Sequence, residues 1–407
     1  MRKIVYAGTN STSFELAEQN LKVLAEISIS DSHIQRLTSR IGTEFFAEDI
    51  KSSDLLEEVT EDSDVPGAQI EVASISIDGG RVQIRQEDSG SGVHNPVWVE
   101  TKVSCMQILN SEERRDDPHP ELPRIFLDGK SVRHLVEGIK GKSRDKADTD
   151  VEKDKKELEI IENDSVQKHP GKTENKDRYG PKVMKRFAFA TIDKSEKFGI
   201  SAYNKANQKH LHTAKRKAFL GDGDRKIWTI YEDNFKPDGW IPILDFIHAV
   251  EYIWDAAKLS TNNESNCWKN YIELVVHVWQ GKVLTVLRRL DKTIEKLNRK
   301  KKTKDIQEKI EKLTTIRGYF QNNYTKMNYP EYRKKGLPIS SCHVESLIKQ
   351  FNIRIKSTEK FWNESSVNGV LKLKASLLSD DNSWQDFWNN RYRKQVSLKR
   401  NYLKAAA

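Results

Sequence analysis

The chain has 407 residues, 69 lysines and arginines against 60 aspartates and glutamates, a net charge of +9, and 36% hydrophobic against 32% charged residues. That length allows two or three domains, and no apolar run reaches the roughly 18 residues needed for a helix to span a bilayer. The opening Met1-Arg2-Lys3-Ile4-Val5 lacks the apolar region of a secretory leader, and Cys105, Cys267 and Cys342 are far apart with no C-x-x-C pair, so free thiols in a reducing cytoplasm are expected.

From Phe14 to Ala47, the residues Leu16, Leu21, Leu24, Ile27, Ile34, Leu37 and Ile41 recur at helical spacing. Ser28-Ile29-Ser30-Asp31-Ser32 interrupts them and supplies an N-cap just before Ile34, so residues 1–50 are predicted to form a small helical region with two helices meeting at a turn. Such a pair is either an ordinary helical hairpin or a helix-turn-helix presenting Arg36 and Arg40 to DNA. Residues 51–68 are acidic, with Ser and Gly, and read as a linker. Gln69–Ile77 and Arg81–Arg85 are predicted as strands joined by a turn at Asp78-Gly79-Gly80, with Trp98–Cys105 as a third strand. Between about 110 and 182 charged residues dominate and large apolar ones are few, which predicts an insertion or mobile loop.

Strand pattern returns at Arg186–Ile192, Arg216–Leu220 and Trp240–Leu244, with helical stretches between them. Strands alternating with helices around a first antiparallel group argue a mixed α/β sheet. After His248 the pattern is helical, with one apolar stripe of Val283, Val286, Leu287, Leu290, Ile294 and Leu297 and another of Ile306, Ile310, Leu313, Ile316 and Phe320. The basic turn Arg299–Lys304 between them predicts an antiparallel pair, its turn either solvated or set against DNA backbone. Tyr329–Pro338 breaks the helices, and an amphipathic helix starts at Ser341.

Four acidic motifs carry the chemistry: Ile77-Asp78-Gly79-Gly80, Gly221-Asp222-Gly223-Asp224, Leu244-Asp245-Phe246-Ile247-His248 and Val344-Glu345-Ser346. The first three end apolar, β-rich runs and the fourth opens a helix, so their carboxylates can meet at one sheet edge. Cleaving or exchanging a phosphodiester needs a nucleophilic oxygen, a neutralised phosphate and a supported leaving oxygen, which two divalent ions roughly 3.5–4 Å apart supply together. Magnesium takes hard oxygen ligands, and Asp78, Asp222 and Glu345 meet that need in a basic chain whose natural polyanion is DNA. Taken singly, Asp78 and Asp222 read as turn residues, Asp245 as a helix N-cap and Glu345 as an exposed acid paired with Lys349. Lys349, Arg354 and Lys356 follow Glu345 and suit phosphate contacts, although surface solvation explains them equally well. Trp362 reads as a core residue or, less commonly, a base-stacking one. His210-Leu211-His212 with His248 or Cys267 is a weaker, zinc-binding alternative.

In this order, Ser76-Ile77-Asp78-Gly79-Gly80-Arg81-Val82, Phe219-Leu220-Gly221-Asp222-Gly223 with Ile227-Trp228, Ile243-Leu244-Asp245-Phe246-Ile247-His248-Ala249-Val250-Glu251, Tyr329-Pro330-Glu331-Tyr332-Arg333, Gly336-Leu337-Pro338-Ile339 and Val344-Glu345-Ser346 resemble bacterial insertion-sequence transposases of the Kra group. The resemblance runs from about residue 14 to about residue 390 and includes Trp384-Gln385-Asp386-Phe387-Trp388. It implies a DDE enzyme with an RNase H-like α/β core in two parts, 69–248 and 339–407. An all-α insertion at 249–338 precedes the last acid, and the C-terminal helices are basic. It implies that Asp78, Asp222 and Glu345 are the catalytic acids and hold two Mg²⁺ ions, for which Mn²⁺ can substitute, and that Asp245-x-x-His248 supports them. The implied reaction is metal-dependent cleavage of the element ends and strand transfer by transesterification. The implied partners are transposon ends, target DNA and further copies of the chain on DNA, at the bacterial nucleoid and away from membranes.

Two departures from the family pattern bear on activity. Ser340-Ser341-Cys342-His343 stands where the family shows Gly-Ser-Gly; were those glycines needed for left-handed backbone, the helix carrying Glu345 would sit differently. The N-terminal region is also short for the family. The alternative is an impaired or truncated remnant that only binds DNA.

Overall fold

The computed structural model describes residues 1–54, 69–85, 97–143, 180–301, 303–356 and 360–405. The expected linker beyond residue 54 and residues 144–179 of the expected insertion lie outside the described residues. At the N-terminus α1 (Arg2–Asn10) precedes the two expected helices, α2 (Phe14–Ala25) and α3 (Asp31–Asp54). Ser13 caps α2 by accepting from the Leu16 amide, and Glu26 ends it in the left-handed conformation.

Five strands form one mixed sheet: β1 (Val72–Ile84), β2 (Val97–Asn110), β3 (Lys182–Thr191), β4 (Arg216–Gly221) and β5 (Ile241–Leu244), in the order β3-β2-β1-β4-β5. Strand β2 is antiparallel to β1 and β3, whereas β4 runs parallel to β1 and β5 parallel to β4. The two-residue period divides the side chains between the faces. Ala73, Ile75, Ile77 and Phe219 enter one apolar cluster. Val72, Ala218 and Leu220, with Val82 and Ile84, face the opposite side.

The expected turn at Asp78-Gly79-Gly80 does not form. Strand β1 runs straight through it, with these residues opposite Val103, Lys102 and Thr101 of β2. A ladder extending from Val72↔Leu109 to Ile84↔Val97 outweighs the local turn preference of Asp-Gly. A Cβ on Gly80 would lie 2.8 Å from Thr101 Oγ1, so this glycine permits close cross-strand packing.

Part of the charged stretch after β2 is ordered, contrary to its composition. A 3₁₀ turn at Arg124–Leu127 leads into α4 (Gly129–Ser143), which buries Val132 and Val136. Phe126 meets Phe246 edge-on at 5.1 Å. The partners that order this segment come from distant parts of the chain. Chief among them is Arg333, 1% exposed, whose Nε and Nη2 donate to the two Asp117 carboxylate oxygens at 2.8 and 2.5 Å. Its guanidinium also lies 4.0 Å from the centroid of the Trp279 ring.

Helices α5 (Ser195–Gln208) and α6 (Arg225–Ile230) cover the Ile75 face through Phe198, Ala202 and Ile230. The other face carries α7 (Phe246–Ser260), α8 (Glu264–Trp279), α9 (Val283–Asn298), α10 (Lys304–Asn323) and α11 (Tyr329–Lys334), then α12 (Cys342–Ile355), α13 (Glu364–Leu378) and α14 (Ser383–Ala405). The two predicted apolar stripes lie in α9 and α10, which fold back on one another. Helix α11 closes the open edge of β5: the Tyr332 and Tyr329 hydroxyls donate to the carbonyls of Pro242 and Leu244 at 3.3 and 3.0 Å. Pro242 has no amide hydrogen to leave unsatisfied there. Helix α3 lies on α13 at a glycine crossing, where a Cβ on Gly42 would stand 2.7 Å from Gly369 backbone, and Arg391 of α14 reaches Glu44 at 2.9 Å. Among the described residues, no helix is long and apolar enough to cross a membrane.

Removing the Asp117 carboxylate strands the Arg333 charge in the interior. We predict that Asp117→Ala lowers unfolding free energy by about 3–5 kcal/mol, read by urea denaturation. A change within about 0.5 kcal/mol, the range of an ordinary surface substitution, would show that the pair contributes nothing.

Candidate active site at the ends of the parallel strands

The register of the sheet aligns the acids. Strands β1 and β4 pair in parallel up to Ser76↔Leu220, and β4 and β5 up to Gly221↔Leu244. Continued in register, the next places set Asp78 beside Asp222 and Asp222 beside Asp245. The Asp245 amide donates to the Gly221 carbonyl at 2.9 Å and holds this row closed. By strand alternation Asp78 and Asp222 belong to the face of Leu220. Helix α12 packs on β1 and β2 at that face and carries Glu345 in its first turn.

Gly221 and Gly223 make room for side chains that grip the Asp222 loop. A Cβ on Gly221 would stand 3.1 Å from the Trp228 ring, and one on Gly223, whose φ is +105°, only 2.4 Å from Tyr319. The Tyr319 hydroxyl donates to the Asp222 carbonyl at 2.8 Å, and its ring stacks on Tyr252 at 3.8 Å. The Asp222 carboxylate accepts from the Asp224 amide at 2.8 Å, and Asp224 caps α6 through the Lys226 amide at 2.6 Å.

Asp245 is fully buried. Its Oδ1 caps α7 by accepting from the Ile247 amide at 2.7 Å, and its Oδ2 accepts from the Ser341 amide at 3.0 Å and from the Ser341 hydroxyl. One carboxylate thus joins the end of β5 to the starts of α7 and α12. Ser341 has φ −99° and ψ 22°, and none of residues 340–343 has positive φ. The absence of glycine therefore imposes no backbone strain here.

His248, in the first turn of α7, places Nε2 3.9 Å from Glu345 Oε1 and Nδ1 3.9 Å from Glu251 Oε2. Ligand atoms of Asp245, His248 and Glu345 all lie within 4.8 Å of one another. Asp78 and Asp222 border this group without joining it, although their charges act on it. Burial alone would lower the His248 pKa, but the Glu251 bond and the charges of Asp245, Asp222 and Asp78 outweigh it and lift the imidazole to about 10, so it is protonated at neutral pH. Burial, then the neighbouring Asp78 charge, raises the Asp222 carboxyl to about 6 against the opposing pull of His248. Asp245 is also raised, by burial first, with His248 opposing and Glu345 adding to it. Clustered carboxylates of this kind present hard oxygen donors and surplus negative charge, which fits Mg²⁺ or Mn²⁺.

The remaining candidates have other surroundings. Arg36 and Arg40 are exposed on α3, opposite its buried Ile34, Thr38 and Ile41. Arg354 is 2% exposed: its Nε donates to the Gly8 carbonyl at 2.9 Å, and its guanidinium lies 4.3 Å from the Phe14 ring and 4.9 Å from the Trp362 ring. Burial lowers its pKa to about 9. Lys349 is buried too, and Lys356 is half-buried. The expectation of an open phosphate-binding segment is therefore corrected for Arg354 and Lys349. Helices α1 and α2 cover Arg354, a long-range contact with no local signature. Trp362 is a core residue whose Nε1 donates to the Ile355 carbonyl at 2.9 Å. The His210 and His212 rings lie 6.3 Å apart, and the metal-capable group found among the described residues contains neither of them, nor Cys267. Glu251, Ser341 and Tyr319 also shape the site, and of these only Glu251 has a local signal, its i,i+3 spacing from His248.

A raised Asp222 pKa means that this group stabilises the ion-free fold fully below its unfolded value near 4 and loses that contribution as pH rises through about 6. In chelator, Asp222→Asn should therefore raise stability at pH 8 by roughly 1–3 kcal/mol, with the gain vanishing near pH 4. Thermal melts at both pH values check this, and an equal gain at each would refute it. No family model, no curated protein and no solved structure matches the chain.

Proposed function

We propose that this chain is a DDE-type DNA transposase with an RNase H-like catalytic fold, cleaving the ends of an insertion sequence and joining them to target DNA by transesterification. The observation that carries the reading is the register row of Asp78, within β1 just past its parallel pairing, and Asp222 and Asp245 at the ends of β4 and β5, with Glu345 and His248 brought against it by two helices. A three-stranded meander continued by two parallel strands, in the order β3-β2-β1-β4-β5, is the arrangement that an RNase H-like reading calls for. The acidic segments on which the resemblance rests lie on β1, after β4, after β5 and on α12.

Asp78, Asp222 and Glu345 would hold the magnesium ions. When bound, the ions neutralise phosphate charge and make the attacking oxygen more acidic. Protonated His248 adds a fixed positive charge beside the acids, and Glu251 and Asp245 hold its ring. Asp245 fixes the start of α12 through Ser341 and so positions Glu345. Buried Asp245 has three donors on its two oxygens, which suits a positioning residue better than an ion ligand.

One feature favours a second reading, a DNA-binding protein with an impaired catalytic centre: Glu345 groups with Asp245 and His248 while Asp78 and Asp222 stand outside. Incubation with Mn²⁺ or Mg²⁺ and a duplex bearing the element's terminal repeat separates the two. Under the first reading the parent cleaves, and Asp222→Asn loses on the order of 10²–10³-fold or more in rate, the scale of removing one preorganised stabilising group, while duplex binding persists. Equal cleavage by parent and variant would remove the catalytic assignment, and binding without cleavage in both would establish the second reading.

A further inference from the structure

We infer that the basic tip of the α9–α10 hairpin is a second DNA-backbone contact, remote from the acid row. The proposal rests on the transposase reading for the identity of the polyanion. Along the shaft of the hairpin Arg289 pairs with Glu273, Arg317 with Asp291 at 2.9 Å and Lys309 with Asp305 at 2.9 Å, while Arg288, Lys292 and Lys312 are exposed and spread along it. At the tip, Lys296, Arg299, Lys300, Lys301 and Lys304 are all exposed. Glu295 is an exposed acid beside them, yet none of the five forms an ion pair among the described residues. Lys296 lies in the last turn of α9, where a cation complements the helix dipole, but Lys300 and Lys301 lie beyond its C-cap, Arg299. A turn that only reverses the chain needs no such concentration of charge. A phosphate backbone supplies the counter-charge.

The hairpin fixes where that contact falls. Its helices are held together by buried Leu290, Leu297, Leu313 and Ile316, and its base is tied to the site by the Tyr319 hydroxyl on the Asp222 carbonyl and by Asn323 accepting from Trp228 Nε1 at 2.8 Å. Tyr319 and Lys304 lie on the same helix, so the tip stands about 22 Å from Tyr319 at 1.5 Å per residue. With roughly 3.4 Å per base pair, a duplex lying along the hairpin with its scissile phosphate at the acids meets the tip about six or seven base pairs away. Lysine and arginine charges there would fix the position of the duplex without reading its bases.

The test is the full-length variant Lys296→Gln/Arg299→Gln/Lys300→Gln/Lys301→Gln, binding a terminal-repeat duplex from about 50 to 200 mM salt. Its slope of log affinity against log salt should be shallower by about 2–4, and phosphate-ethylation interference should disappear about six or seven base pairs from the cleaved bond. Its circular dichroism and its calorimetric Mn²⁺ binding should match the parent, showing an intact fold and acid row. An unchanged slope and interference pattern, with the parent binding normally, would overturn the tip contact and leave the transposase reading standing. Failure of the parent to bind any duplex would overturn both.

Discussion

The site depends on one buried carboxylate. Asp245 has no solvent to stabilise its charge, and an ion so placed is tolerated only when donors and a counter-charge replace the water. Two backbone amides, one hydroxyl and protonated His248 do so here. The donors come from the starts of α7 and α12, so satisfying Asp245 also sets where His248 and Glu345 stand. The geometry of the candidate site is in this sense a by-product of a burial requirement.

Around that point the protein separates its charges. A chain with net charge +9 gathers several carboxylates into one corner of the sheet, where burial and mutual repulsion keep Asp222 harder to ionise than an ordinary aspartate. Such a corner opposes stability and needs a rigid surround. Tyrosines provide much of it: Tyr319 holds the Asp222 loop, while Tyr329 and Tyr332 close the edge of β5. Each combines a large apolar ring with a hydroxyl that reaches an otherwise unpaired carbonyl. The N-terminal helices add another layer, packing Phe14 against the Arg354 guanidinium and Trp362. Residues expected to meet DNA there instead join two parts of the fold.

Much of the architecture was legible because it follows from local rules. The helical pair α9–α10, the break before α3 and the alternation in β2 and β4 express periodicity and capping, which any window of sequence displays. Where local rules misled, a distant partner decided. Asp78-Gly79-Gly80 has turn composition, yet β2 supplies a continuous ladder and draws it into a strand. Gly221 and Gly223 have the composition of an ordinary turn, yet they accommodate Trp228 and Tyr319. The stretch after β2 looks too polar to order, yet Arg333 and Phe246 bring the contacts it lacks.

The sequence by itself determined which acids were candidates, the order of strands and helices that carries them, and the positive charge around them, because residue type, period and composition are properties of the chain alone. Only the tertiary structure decided that Glu345 meets His248 and Asp245, that Ser341 ties the start of α12 to Asp245, and that Arg354 faces inward. Those outcomes depend on strand register and on helices crossing from far along the chain. One residue of slip in register would turn each strand's side chains to the other face, so no local pattern can specify them.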